Sequence, residues 1–175
     1  KFVKVMAGAF YSCGIRAGDG GTSCWGNTKY SFSPIRSLPA DKFSDIALSN
    51  NAACGILAAT RAVKCWGSNM DNIVSGTPAG AFDELRAGKY HICGLMVDNT
   101  IRCWGQNTFG QTNAPSGQFK ALGVSYQSNC ALRLDGTVTC WGNANSPSQN
   151  RKFSTIGVGV NTTCGVLAEN NIIDC

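Results

Sequence analysis

The sequence predicts an all-β fold built from five tandem units, and three observations carry that prediction. Ten cysteines fall into five pairs at a nearly constant spacing, apolar residues alternate around each pair, and 21 glycines accompany a charged fraction of only 14%. Such a composition suits a turn-rich β protein held by covalent links, not a helical enzyme. The 175 residues suffice for one domain of ordinary size or a short repeat array with one continuous core.

The pairs are Cys13 with Cys24, Cys54 with Cys65, Cys93 with Cys103, Cys130 with Cys140, and Cys164 with Cys175. Successive first cysteines stand 41, 39, 37 and 34 positions apart, and a phenylalanine lies eleven residues before each: Phe2, Phe43, Phe82, Phe119 and Phe153. An offset held through every copy is the mark of a tandem repeat. It divides the single repeat domain, 1-175, into units 1-42, 43-81, 82-118, 119-152 and 153-175. Each unit opens with Phe and places Val5, Ile46, Leu85, Leu122 or Ile156 three residues on. Small residues then mark a strand exit: Gly8, Ser49, Gly88, Ser125 and Gly159. Ile15, Ile56, Leu95, Leu132 and Val166 follow the first cysteine with the period of a strand. Thr22, Val63, Ile101, Val138 and Ile173 approach the second cysteine with β-branched side chains.

Turn formers lie between the cysteines of a pair, among them Asp19-Gly20, Asp98-Asn99, Asp135-Gly136 and Asn170-Asn171. Two short strands joined by such a segment form a hairpin, so the paired cysteines face each other across it. Opposed residues in a non-hydrogen-bonded pair have Cα atoms about 4.5 Å apart, within the range a disulfide tolerates. Because every copy brings both partners, local pairing is the economical connectivity. A zinc site would want Cys-x-x-Cys spacings and more than the lone His91. Disulfides in every unit place the chain in an oxidising compartment, secreted or on a cell surface, including a receptor ectodomain.

Length varies only between units. The linkers, such as 27–42 and 106–118, are rich in Ser, Asn, Pro and Gly and read as surface loops with a short edge strand at most. Three or four short strands every 35 to 40 residues describe a β-propeller blade or a comparable β repeat, which cannot bury its faces alone.

The segments Phe82 to Gly105 (FDELRAGKYHICGLMVDNTIRCWG) and Phe119 to Gly142 (FKALGVSYQSNCALRLDGTVTCWG) resemble repeats of the regulator-of-chromosome-condensation type. They are most similar to the disulfide-bearing variety in the ectodomains of CRINKLY-type plant receptor kinases. The resemblance spans the whole chain in five copies and implies a β-propeller. Members usually have seven units, so five units imply either a five-bladed ring or part of a seven-bladed one. The fifth unit ends at Cys175 without the Trp-Gly that follows Cys24, Cys65, Cys103 and Cys140. Nuclear members act on a small GTPase and bind chromatin, a role that does not suit paired cysteines in every blade. The receptor ectodomains and a bacterial β-lactamase inhibitor of similar architecture are nearer analogies, and both bind proteins.

Other residue patterns narrow the function. Net charge is +5, but Arg151–Lys152 is the only adjacent basic pair, so no nucleic-acid partner is expected. No apolar run approaches the ~18 residues of a membrane helix, so direct membrane insertion of this segment is not expected either. The chain opens at Lys1 without a charged-then-apolar leader, as expected after signal-peptide removal or of an excised segment. No nucleophile elbow, phosphate loop or dinucleotide fingerprint occurs, and neither catalytic residues, nor a metal, nor a cofactor is expected. Asp19, Asp98 and Asp135 fit turn positions, His91 a structural one, and Trp25, Trp66, Trp104 and Trp141 core positions between blades. Asn161, in Asn161-Thr162-Thr163, is a candidate glycosylation site. Tyr30, Phe32, Met70, Ile73, Val74 and Phe109 are apolar residues in polar linkers that either dock on their own blade or meet a partner. The function these patterns favour is a non-catalytic module that binds a protein through propeller loops. A lectin-like carbohydrate-binding propeller and a structural or defensive extracellular protein are the alternatives.

Overall fold

The chain is described by a computed structural model over residues 1–27, 37–144, 151–160 and 162–175. The sequence repeat becomes five three-stranded antiparallel sheets, each ordered as a simple meander. Blade 1 holds β1 (Phe2–Ala7), β2 (Tyr11–Arg16) and β3 (Thr22–Gly26). Blade 2 holds β4 (Phe43–Leu48), β5 (Ala52–Leu57) and β6 (Val63–Gly67). Blade 3 comprises β7 (Phe82–Ala87), β8 (His91–Met96) and β9 (Ile101–Gly105), and blade 4 comprises β10 (Phe119–Val124), β11 (Ser128–Arg133) and β12 (Val138–Gly142). Blade 5 closes with β13 (Phe153–Val158), β14 (Thr163–Leu167) and the two-residue β15 (Ile173–Asp174). The described linkers contribute turns and no fourth strand.

The expected disulfides form in every blade, with Cα–Cα separations of 4.0 to 4.1 Å. In blades 1 to 4 the two cysteines are directly opposed in the strand register. No cysteine is free.

Two local devices explain the remaining sequence signature. Each first strand carries a register shift just after its phenylalanine, for example between Phe43 and Asp45. An extra residue inverts the two-residue alternation. Phe43 and Ile46, three apart, therefore face the same side and are both buried. The glycine of Cys-Trp-Gly has positive φ: 130° at Gly26, 104° at Gly67, 108° at Gly105 and 81° at Gly142. A Cβ at Gly26 or Gly105 would also lie 2.7 Å from the carbonyl oxygen of Phe10 or Tyr90, so both conformation and space require glycine.

Blades pack face to face by one rule. The second strand turns its first cysteine and the residues two before and two after it toward the next blade, whose Phe, Trp and first-strand aliphatic cover them. Tyr11, Cys13 and Ile15 thus cluster with Phe43, Ile46, Leu48 and Trp66. Cys54 and Ile56 cluster with Phe82, Leu85 and Trp104, and Cys93 and Leu95 with Phe119 and Leu122. Phe43 stacks on Trp66 at 5.3 Å between centroids, and Phe82 meets Trp104 at 6.1 Å. The tryptophans are core residues wherever a preceding blade exists: Trp66 and Trp104 are buried and Trp141 is partly buried.

Polar bridges cross these interfaces. Tyr11 donates to the carbonyls of Ser49 (2.6 Å) and Ala52 (3.1 Å) in blade 2. Asp45, itself buried, accepts from the Leu85 amide of blade 3 at 3.1 Å and pairs with Lys4 of blade 1 at 2.6 Å. One carboxylate thereby links three blades.

The outer blades are covered on one side only. Phe2 and Trp25 are each 45% exposed, whereas Phe43, Phe82, Phe119 and Phe153 are at most 2% exposed. At the opposite end Ile173 is exposed.

The packing rule sets the size of mutational effects. Phe82→Ala is expected to lower unfolding free energy by about 3–5 kcal/mol, and Phe2→Ala by only about 1 kcal/mol, since half of that ring is already in water; urea denaturation compares the two. Replacing Cys54 and Cys65 together by alanine is expected to remove about 3 kcal/mol in the same assay, with the five-sheet secondary structure retained in far-UV circular dichroism.

Candidate interaction face

Each first strand turns into its second through a short reversal that starts at the small residue. The turns are Gly8-Ala9-Phe10, Ser49-Asn50-Asn51, Gly88-Lys89-Tyr90, Ser125-Tyr126-Gln127 and, in blade 5, Gly159-Val160 onward. All are closed by the same backbone bond, from the small residue's amide to a carbonyl three residues later, at 2.8 to 2.9 Å. The linker leaving the third strand returns to this turn: the amides of Asn27, Ser68, Gln106 and Asn143 donate to the carbonyls of Phe10, Asn51, Tyr90 and Gln127. Antiparallel pairing therefore gathers five turns and the roots of the linkers at one end of the propeller.

Neighbouring turns are also tied together. The Asn50 amide donates to the Lys89 carbonyl and the Lys89 amide to the Tyr126 carbonyl, each at 3.1 Å. They surround a cavity of about 510 Å³ to which all five units contribute, with Phe10, Leu48, Lys89, Val124, Tyr126 and Val160 among its walls. This falls within the ~300–1,000 Å³ typical of ligand pockets.

Two linker residues expected to meet a partner stand exposed beside this end. Met70 is 69% exposed, and Phe109 is 46% exposed with its amide donating to Gln111 Oε1 at 2.8 Å. The loops beneath them are ordered by asparagines. Asn69 Oδ1 accepts from the Ser75 amide at 2.8 Å, and Asn107 Oδ1 from the Thr112 amide at 2.9 Å. Ile73 takes the other of its two expected courses, docking on its own structure. It is fully buried with Ala52 and Trp104, and Val74 packs against the same cluster. Ile73 is thus withdrawn from the contact set: an aliphatic side chain that finds an apolar seat at a blade interface is not left in water. Gln111 holds the equivalent place in the next linker, its carbonyl accepting from Asn129 Nδ2 (2.9 Å) and Trp141 Nε1 (3.0 Å). Tyr30, Phe32 and Asn161 lie outside the described residues.

His91 and the turn aspartates occupy structural positions. His91 is buried, with Nε2 2.7 Å from Asn129 Oδ1 in blade 4. Asn129 already spends its amide nitrogen on Gln111, so its oxygen is the acceptor and His91 carries hydrogen on Nε2. Burial holds the imidazole pKa below its usual value. Asp98 and Asp135 accept from the hydroxyl and amide of Thr100 and Thr137, bonds that hold their carboxyls below the usual carboxylate range. Asp19 does the same with Arg16 and the Gly21 amide. Among the described residues no three His, Cys, Asp or Glu side chains converge as metal ligands.

The rim residues Phe10, Lys89, Tyr126 and Val160 are absent from the sequence-based candidates. The available signal is the position four before each first cysteine, where Ala9, Asn50, Lys89, Tyr126 and Val160 differ inside an otherwise uniform unit.

Five three-stranded meanders packed in series, each with its own disulfide, define a β-propeller repeat protein of the disulfide-bearing kind. Residues 84–111 match the regulator of chromosome condensation (RCC1) repeat. The fold is similar to the entire ectodomain of the Physcomitrella patens receptor kinase CR4, with a TM-score of 0.80 and 27% identity over 98% of this chain and 48% of that one. It is also similar to the CRINKLY WD40 ectodomain of the Arabidopsis thaliana receptor kinase ACR4, with a TM-score of 0.79 and 22% identity over 97% and 62% of the two chains. Yeast RCC1 (Prp20), in its structure with Kap60, shares the fold at a TM-score of 0.76 and 15% identity over 99% and 55%. The chain therefore spans about half the length of the first of these and under two thirds of the others. No curated protein matches it.

The buried imidazole gives stability a defined pH dependence. Its folded pKa is depressed, so between about pH 6.5 and that lower value the unfolded chain binds a proton that the folded chain does not. Stability is expected to be fully present above pH 6.5, to fall as pH drops through this window and to level off below the folded value. Asp98 and Asp135 add their own losses only below the unfolded carboxylate pKa of about 4. Melting temperatures between pH 7.5 and 5 test this, with His91→Gln flattening the curve.

Proposed function

We propose that this chain is a non-catalytic binding module of the extracellular space, secreted or part of a cell-surface ectodomain, that recognises a protein partner. The observation that carries the reading is the end of the propeller where the turns and linker roots gather. Met70 and Phe109 are exposed in the asparagine-ordered loops that leave those linker roots. Loops on a rigid scaffold are where binding residues are commonly carried. Five disulfides and the likeness to receptor ectodomains support an oxidising location. A scaffold cross-linked in every blade loses little conformational freedom on binding, so contact energy is retained as affinity.

A pull-down from extracellular extract tests the reading, with the Met70→Asp/Phe109→Asp double variant alongside the unaltered chain. The expected outcome is a partner whose capture drops at least tenfold in the double variant while the melting temperature stays unchanged. Capture that ignores both substitutions removes this surface from consideration. Saturable binding to a simple sugar on a glycan array, at one site per blade, would favour a lectin-like propeller instead.

A further inference from the structure

Lys89 is the sole charged residue among those lining the cavity, and it has no carboxylate partner among the described residues. Its ammonium is held by aromatic groups. It donates to the Tyr126 hydroxyl, with Nζ 4.4 Å from the centroid of that ring and 4.7 Å from that of Tyr90. Ring faces attract a cation without neutralising it, and with Tyr126 and Tyr90 as hydrogen-bond partners at least one of the three N–H donors of the ammonium is left for a ligand. The residue is fixed from both sides, its carbonyl bonded to Asn50 of blade 2 and its amide to Tyr126 of blade 4. The amides of the five turns' small residues, and those of Asn50 and Lys89, are already spent within the protein. Lys89 Nζ is therefore the cationic donor that this rim offers to an anion.

Leu48, Val124, Phe10 and Val160 line the same cavity with apolar surface. The volume is too small for a folded domain and admits one side chain with its immediate neighbours. Resting on the protein-binding reading above, we infer that this cavity receives a carboxylate side chain from an extended, partly apolar segment of the partner, with Lys89 as the anion receptor and Tyr126 as its positioning residue. The partner is thus an acidic peptide segment, its carboxylate entering the central cavity while flanking apolar residues contact Phe10 and Val160.

The probes are the blocked pentapeptide acetyl-Gly-Phe-Glu-Leu-Gly-amide and its Gln counterpart, titrated against the full chain by NMR. The Glu peptide is expected to bind at least tenfold more tightly, with shifts centred on the Lys89, Tyr126 and Val160 resonances and a gap that narrows with added salt. Lys89→Met should abolish the Glu/Gln difference, and Tyr126→Phe should reduce it severalfold. Melting temperatures of both variants report that they fold. Equal affinity of the two peptides, or a Glu preference that survives Lys89→Met, would overturn the assignment. Displacement of the Glu peptide by tri-galacturonate at lower concentration would also overturn it, in favour of an acidic glycan. Partner capture that remains sensitive to Met70 and Phe109 but is indifferent to Lys89→Met would sink the pocket and leave the wider interface standing. A Glu preference that persists where no protein is captured supports the pocket and removes the wider interface.

Discussion

The covalent pairing of second and third strands is the constraint on which the rest of the structure depends. Each disulfide fixes two opposed residues with Cα atoms 4.0 to 4.1 Å apart and sets the register of its hairpin. A one-residue slip would turn every side chain of the strand to the opposite face. Because the first cysteine also lies in the interface, the same bond defines the surface against which the next Phe-Trp pair packs. Register within a blade and contact between blades are thus one problem with one solution. A three-stranded sheet of 17 strand residues, or 13 in blade 5, buries too little by itself to be stable, and the cross-link offsets that shortage.

Within this repetition the polar bridges are individual. Tyr11 joins blades 1 and 2 through two carbonyls, Asp45 binds blades 1, 2 and 3, and His91 joins blade 3 to blade 4 through Asn129. Tyr11 and His91 occupy the same place in their units, two residues before the first cysteine, yet reach across by different chemistry. Burial raises the Tyr11 phenol pKa well above its usual value, so the group stays a neutral donor. Removing one member of a buried pair leaves the other unsatisfied, which penalises mispairing of blades.

Much of this was legible from residue spacing, and the failures have identifiable causes. Strand positions, hairpins and disulfides follow from local alternation and from cysteines that recur with their partners, all properties of a single unit. The core placement of the tryptophans also follows, except that Trp25 is half exposed because its burial depends on a preceding blade. Met70 and Ile73 look alike in the linker sequence. Only the three-dimensional path of the chain brings Ile73 within 3.0 Å of where a Gly105 Cβ would lie, while Met70 remains outside. The cavity was invisible for the same reason, since its walls come from all five units and lie up to 153 positions apart, from Ala7 to Val160. Even the Phe-x-x-aliphatic pattern, seen in every copy, needed the β-bulge to explain why residues three apart share a face.

The two-sided cover of blades 2, 3 and 4 bears on how the molecule breathes. In a serial array the stability of each unit is roughly its own plus that of its contacts with neighbours. Each of these three blades packs against a neighbour on both faces, so its local opening breaks two interfaces at once. Lys89 and Tyr126 belong to blades 3 and 4, so the cation at the rim sits in a stretch gripped from both sides.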